Sequence, residues 1–145
     1  MDLSKFDVKT AAKKGAELHL RNPFNNELLF EEVAPENEGD EPTKRPVTIT
    51  LMGRDSPVLL EKTKEIERRR VKGEEISDAE ASTELLATGI VAWQGIALPG
   101  TSEDAECNFE NAVKILTNEA TSWVQEQASI FASVRRNFIG NVPTT

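Results

Sequence analysis

The sequence predicts an α+β fold: a small N-terminal antiparallel β element of three strands, followed by a four-helix C-terminal bundle. Three observations predict it. Residues 17–53 alternate polar and apolar positions between turn signals, as short strands do. From 55 to 139 the apolar spacing changes to three and four, as in helices. Ser, Asn, Gly and Pro stand where those helices would start and stop. Strands and helices are thus segregated, as in α+β domains. One domain is expected over 17–139 (17–53 as β-hairpin plus strand, 55–139 helical), with a flexible lead-in at 1–16 and a flexible tail at 140–145.

The β elements come first. Glu17-Leu18-His19-Leu20 alternates, "RNPFNNE" carries turn chemistry, and "LLFEEV" returns, which reads as a hairpin. Pro23 fixes its own φ, and Asn25 and Asn26 tolerate the left-handed region. "APENEGDEPTKRP" has three prolines and four carboxylates against two cations, so it reads as a mobile acidic loop. "VTITLMG" alternates β-branched residues and ends on Gly53, the third strand.

Four helices follow. Asp55 or Ser56 caps the first, with Pro57 at its first position and Gly73 at its end. Ser77 and Glu80 have capping-box spacing, and a stripe of Ala81, Leu85, Leu86, Ile90 and Trp93 carries the second helix to Trp93. Gly95 and Pro99-Gly100 break it, and "TSEDAEC" is a second acidic loop. Asn108 caps the third helix, whose core face is Ala112, Ile115 and Leu116. The fourth, over 120–138, has the best helical period: Ala120, Trp123, Val124, Ala128, Phe131, Val134 and Phe138.

Composition narrows the function. The chain has 145 residues, 38% hydrophobic and 29% charged, with six Phe, two Trp and no Tyr, so Leu, Ile, Val and Ala must build most of the core. Its net charge of −8 repels phosphate backbones, and no nucleic-acid partner is expected. The run "ERRRVKGEE" has four cations, which meet four carboxylates within Glu65 to Glu75 and are largely cancelled. One cysteine, Cys107, allows no internal disulfide and fits a reducing compartment. The first twenty residues lack an apolar signal region, and no window approaches eighteen apolar residues, so a cytosolic address and no membrane partner are expected.

Catalytic constellations are missing from the pattern. His19 is the only histidine and reads as a half-exposed strand residue. A Cys107–His19 dyad is conceivable, but nothing near Cys107 activates a thiol, and burial before a helix cap explains it. There is no zinc or EF-hand spacing and no phosphate-binding glycine loop. An enzyme, a cofactor and a metal are therefore not expected, and binding remains. Trp93 and Trp123 read first as core. The fourth helix carries more aromatic surface in Trp123, Phe131 and Phe138 than one helix usually buries, so Trp93, Trp123, Phe131 and Phe138 are the candidate partner-binding residues.

Several pieces stand in a fixed order: Gly53 to Ser56 (Gly-Arg-Asp-Ser), Trp93 to Gly95 (Trp-x-Gly), Asn108 to Asn111 (cap-x-Glu-Asn), Trp123 to Gln127 (Trp-x-x-x-Gln) and Arg135 to Phe138 (Arg-x-Asn-Phe). With the Asn-Pro turn, this order over about residues 17 to 139 resembles the tail assembly chaperones of long-tailed, siphovirus-like bacteriophages. Two departures are visible: "QGIALPGTSEDAE" is long and acidic for the group, and Asn108 stands where a Ser cap is usual. The resemblance implies a non-enzymatic protein of the host bacterial cytoplasm, absent from the mature virion. It implies that the chain binds the tape measure protein, keeps it soluble and helps recruit tail tube protein. A frameshifted longer form of the chain and a homo-oligomer are further partners it raises. The alternative is a structural tail or neck component of the virion.

Overall fold

The computed structural model describes residues 1–141, with side chains described as far as Phe138. Of the tail expected at 140–145, residues 142–145 lie outside the described residues. The fold is α+β, with small antiparallel sheets and five α-helices. One sheet has the order β1 (Ala16–His19), β4 (Thr48–Leu51), β5 (Ile90–Gln94); a second pairs β2 (Phe30–Val33) with β3 (Thr43–Pro46). The helices are α1 (Val8–Lys14), α2 (Pro57–Val71), α3 (Asp78–Gly89), α4 (Phe109–Thr117) and α5 (Trp123–Ser133).

The strand expected at 47–53 is the centre of the larger sheet. Ile49 and Leu51 on β4 are almost fully buried, and β4 pairs with β1 on one side and β5 on the other. The expected hairpin is corrected. Residues 16–20 and 29–33 do not form a strand pair with each other; both lie antiparallel to the continuous stretch 43–51. Val47 joins the two ladders, its N–H donating to Leu29 and its carbonyl accepting from Leu20. Residues 21–28 form a small protruding loop, closed by the Arg21–Leu28 bridge and the Leu29 N–H to Leu20 carbonyl bond. Its turn chemistry is the expected one: Asn26 has φ 61°, and the Asn22 and Asn25 side chains accept from Phe24 and Glu27 N–H groups.

Two segments, one expected as loop and one as the end of a helix, become strands for the same physical reason, a nearby unpaired strand edge. Thr43–Pro46, read as part of the acidic loop, forms β3, and Arg45 pairs across it with Glu31. The second predicted helix stops at Gly89, and Ile90–Gln94 is β5 rather than its last turn. β-Branched Ile90 and Val91 suit a strand, and the open edge of β4 supplies the hydrogen bonds. The third strand of the larger sheet therefore comes from inside the helical half. The separation into an N-terminal β element and a four-helix bundle is corrected accordingly.

The lead-in over 1–16 is also corrected. Asp7 caps α1 by accepting from Thr10 N–H at 3.0 Å, and Ala11 and Ala12 are buried. Gly15, at φ +80°, ends the helix so close to β4 that a Cβ there would lie 2.9 Å from the Leu51 carbonyl oxygen. The predicted starts of α3 and α4 stand at Ser77 and Asn108, and of the candidates Asp55 and Ser56 it is Ser56 that caps α2. The fourth predicted helix is shorter than 120–138. Val134 leaves helical geometry, and Arg135–Asn141 is a 3-10 turn. The core joins Leu20, Ile49 and Leu51 of the sheet to Ala87 of α3, Leu116 of α4 and Ala128 of α5.

Candidate partner-binding surface

Phe138 is sealed inside the molecule, at 4% exposure. Its ring covers Gly53, where a Cβ would come within 2.9 Å of it, and meets Phe131 edge-on at 5.8 Å. Phe131, Trp93 and Trp123 are partly buried and pack on the core. Trp93 lies on β5, and its indole N–H donates to the Ala105 carbonyl at 2.8 Å. The structure thus brings Phe131 and Phe138 together, and no ring contact ties either tryptophan to them among the described residues. The expected open aromatic face is corrected at Phe138. The 3-10 turn after α5 folds that ring inward instead of continuing the helix stripe.

The ordered motifs are joints between elements. Asp55 accepts two hydrogen bonds from Arg135, at 2.7 and 2.9 Å. That guanidinium holds the Asp55 carboxyl below the ordinary carboxylate value. Ser56, fully buried, caps α2 by accepting from Val58 N–H. Gly53 receives Phe138, so Gly-Arg-Asp-Ser and Arg-x-Asn-Phe dock on each other. Gln127 holds both backbone groups of Arg21. Asn108 caps Asn111, whose side chain donates to the Glu106 carbonyl.

Of the candidate catalytic groups, His19 has a backbone partner and Cys107 is partly buried. His19 Nε2 lies 2.6 Å from the Leu29 carbonyl, which can only accept, so this nitrogen carries the proton. Its ring stands edge-on to Phe30. Burial raises the Cys107 thiol pKa, which keeps it protonated near neutral pH. Among the described residues no three His, Cys, Asp or Glu side chains gather to hold a metal ion. Nor is any described helix long and apolar enough to cross a membrane.

Open apolar surface lies one helix face away from the expected one. α2, α3 and α5 enclose a groove of about 290 Å³. Met52, Leu59, Leu60, Leu85 and Leu86 line it, and Ser129 and Ser133 of α5 form one wall. Gly89 at its base adds no side chain, and a Cβ there would fill space 3.5 Å from a Leu59 methyl. Leu60 is exposed, and Ile130, next to Ser129 on α5, is 59% exposed. The signal for this groove was present in Val58-Leu59-Leu60 and Leu85-Leu86, two apolar runs wider than either thin helix stripe needs.

Comparison with known proteins found no family model, curated protein or solved structure that matches this chain.

Proposed function

We propose that this chain is a tail assembly chaperone of a long-tailed bacteriophage. In this reading it binds the tape measure protein in the host cytoplasm, keeps it soluble, helps recruit tail tube subunits and stays out of the finished virion. The observation that carries the reading is the open apolar groove between α2, α3 and α5. A tape measure protein is long and helical, with an apolar stripe that aggregates when bare. A groove between helices accepts such a stripe through anchors spaced three and four residues apart. The net charge of −8 then keeps the pair dissolved. The order of motifs from Gly53 to Phe138 supports the same reading.

The test is co-expression with the tape measure protein of the same phage. Wild-type chain should raise its soluble fraction, and Leu60→Asp with Ser129→Asp, two exposed groove residues, should abolish the effect while the chain itself stays folded. Equal solubilisation by the double variant would remove the groove from the function. A structural virion component is separated by mass spectrometry of purified particles, where the chaperone should be absent.

A further inference from the structure

The lysine-rich start of the chain packs, through α1, against the last described side chains. α1 packs against the 3-10 turn Arg135–Asn141. Between them lies a second cavity of about 320 Å³, floored by Val8, Ala11, Ala12 and Phe138 and rimmed by Asp55, Arg135 and Arg136. It shares no lining residue with the α2–α3–α5 groove. Lys5, Lys9, Lys13 and Lys14 are exposed on or just before α1. With the two arginines they make six cations against Asp2, Asp7 and Asp55, an excess of three in a chain of net charge −8. The four lysines and Arg136 have no ion-pair partner among the described residues, whereas Arg135 is committed to Asp55. Leu3 and Phe6, just ahead of α1, are exposed beside these charges in sequence.

We propose that this face docks an acidic peptide segment that presents one apolar anchor residue to the cavity. Its carboxylates pair with Arg136 and the α1 lysines. The cavity is at the small end of ligand-sized pockets, suited to a single side chain. Concavity and an apolar floor select a protruding anchor, which neither a phosphate backbone nor a flat bilayer presents. Desolvated contact supplies affinity, and the opposite charges supply on-rate and specificity. The inference does not rest on the chaperone reading.

Fluorescence anisotropy tests it, using the full chain and labelled synthetic peptides that carry one Leu, Phe or Trp between pairs of Glu and Asp. Saturable binding is expected, weakened by added salt. Lys9→Glu with Arg136→Glu should weaken it about tenfold or more, since both residues are exposed and their reversal opposes the peptide charge. Val8→Ser, and a peptide with Gly as anchor, should each weaken binding without changing its salt dependence. Absence of saturable binding, or equal binding by the charge-reversed chain, overturns the proposal. So does capture of phosphatidylglycerol vesicles or a single-stranded oligonucleotide in place of the peptides.

Discussion

Gln127 holds Arg21 by both of its backbone groups. The Arg21 N–H donates to Gln127 Oε1 at 2.9 Å, and Gln127 Nε2 donates to the Arg21 carbonyl at 2.8 Å. A helix side chain thereby stands in for a neighbouring strand at the point where the edge of the sheet leaves for the 21–28 loop. Removing it leaves two backbone groups without a protein partner. Each net bond is worth about 1 kcal/mol. Gln127→Ala should therefore lower unfolding free energy by about 1–2 kcal/mol, read from urea denaturation. Gln127→Glu should cost nearly as much, because a carboxylate accepts from Arg21 N–H but cannot donate to its carbonyl.

Gly53 and Phe138 are a steric pair. A Cβ at position 53 would lie 2.9 Å from the Phe138 ring and 3.1 Å from Ala12 Cβ. Gly53→Ala should destabilise by about 1–3 kcal/mol through overpacking, and Phe138→Ala by about 3 kcal/mol through the emptied site. Gly53→Ala combined with Phe138→Leu should lose less than the sum of the two single changes, because the smaller side chain makes room for the methyl. Strict additivity in thermal or urea unfolding would deny the contact.

The Asp55–Arg135 clasp carries a pH signature. The Asp55 carboxyl titrates below its ordinary value because Arg135 hydrogen-bonds its charged form. A carboxyl lowered in the folded state adds stability that is present above its unfolded value and is lost as pH falls through the folded one. Wild type should thus exceed Asp55→Asn in stability by a constant margin at neutral and mildly acid pH. That margin should shrink below about pH 4. It should also shrink in high salt, since Arg135 is largely exposed.

Ser56 is the most buried helix cap in the chain, and its hydroxyl accepts from Val58 N–H at 3.2 Å. Ser56→Ala should cost about 1–2 kcal/mol, while Ser56→Asp should fail to restore stability because a carboxylate at this closed position is poorly solvated. Chemical denaturation of the three proteins checks the ordering.

What was legible in the sequence was what local chemistry decides. Ser77 and Asn108 cap the helices they were expected to cap, and of the two candidates Asp55 and Ser56 it is Ser56 that caps α2, since the signal lies within three residues of the cap. The Asn-rich turn at 22–27 is likewise local. Strand pairing was not legible. Residues 17–33 look like a self-paired hairpin, yet both arms pair with 43–51, and alternation gives the face of a strand but not its neighbour. Ile90-Val91-Ala92-Trp93 fits a helix end and a strand equally until the open edge of β4 is known. Phe138 looked like the end of an exposed stripe because nothing local foretells the change of course at Val134. The apolar groove left only a partial signal, the runs Val58-Leu59-Leu60 and Leu85-Leu86, because three helices must come together to form it.

The central claim is that an apolar helix of the tape measure protein lies in the α2–α3–α5 groove. Amide hydrogen exchange, on the chain alone and on the co-purified complex with the tape measure protein, tests this most directly. The account predicts added protection at 57–63, 82–89 and 129–133, around Leu60, Leu85 and Ser129. A stable complex that leaves those segments exchanging as in the free chain, with protection elsewhere, would contradict it.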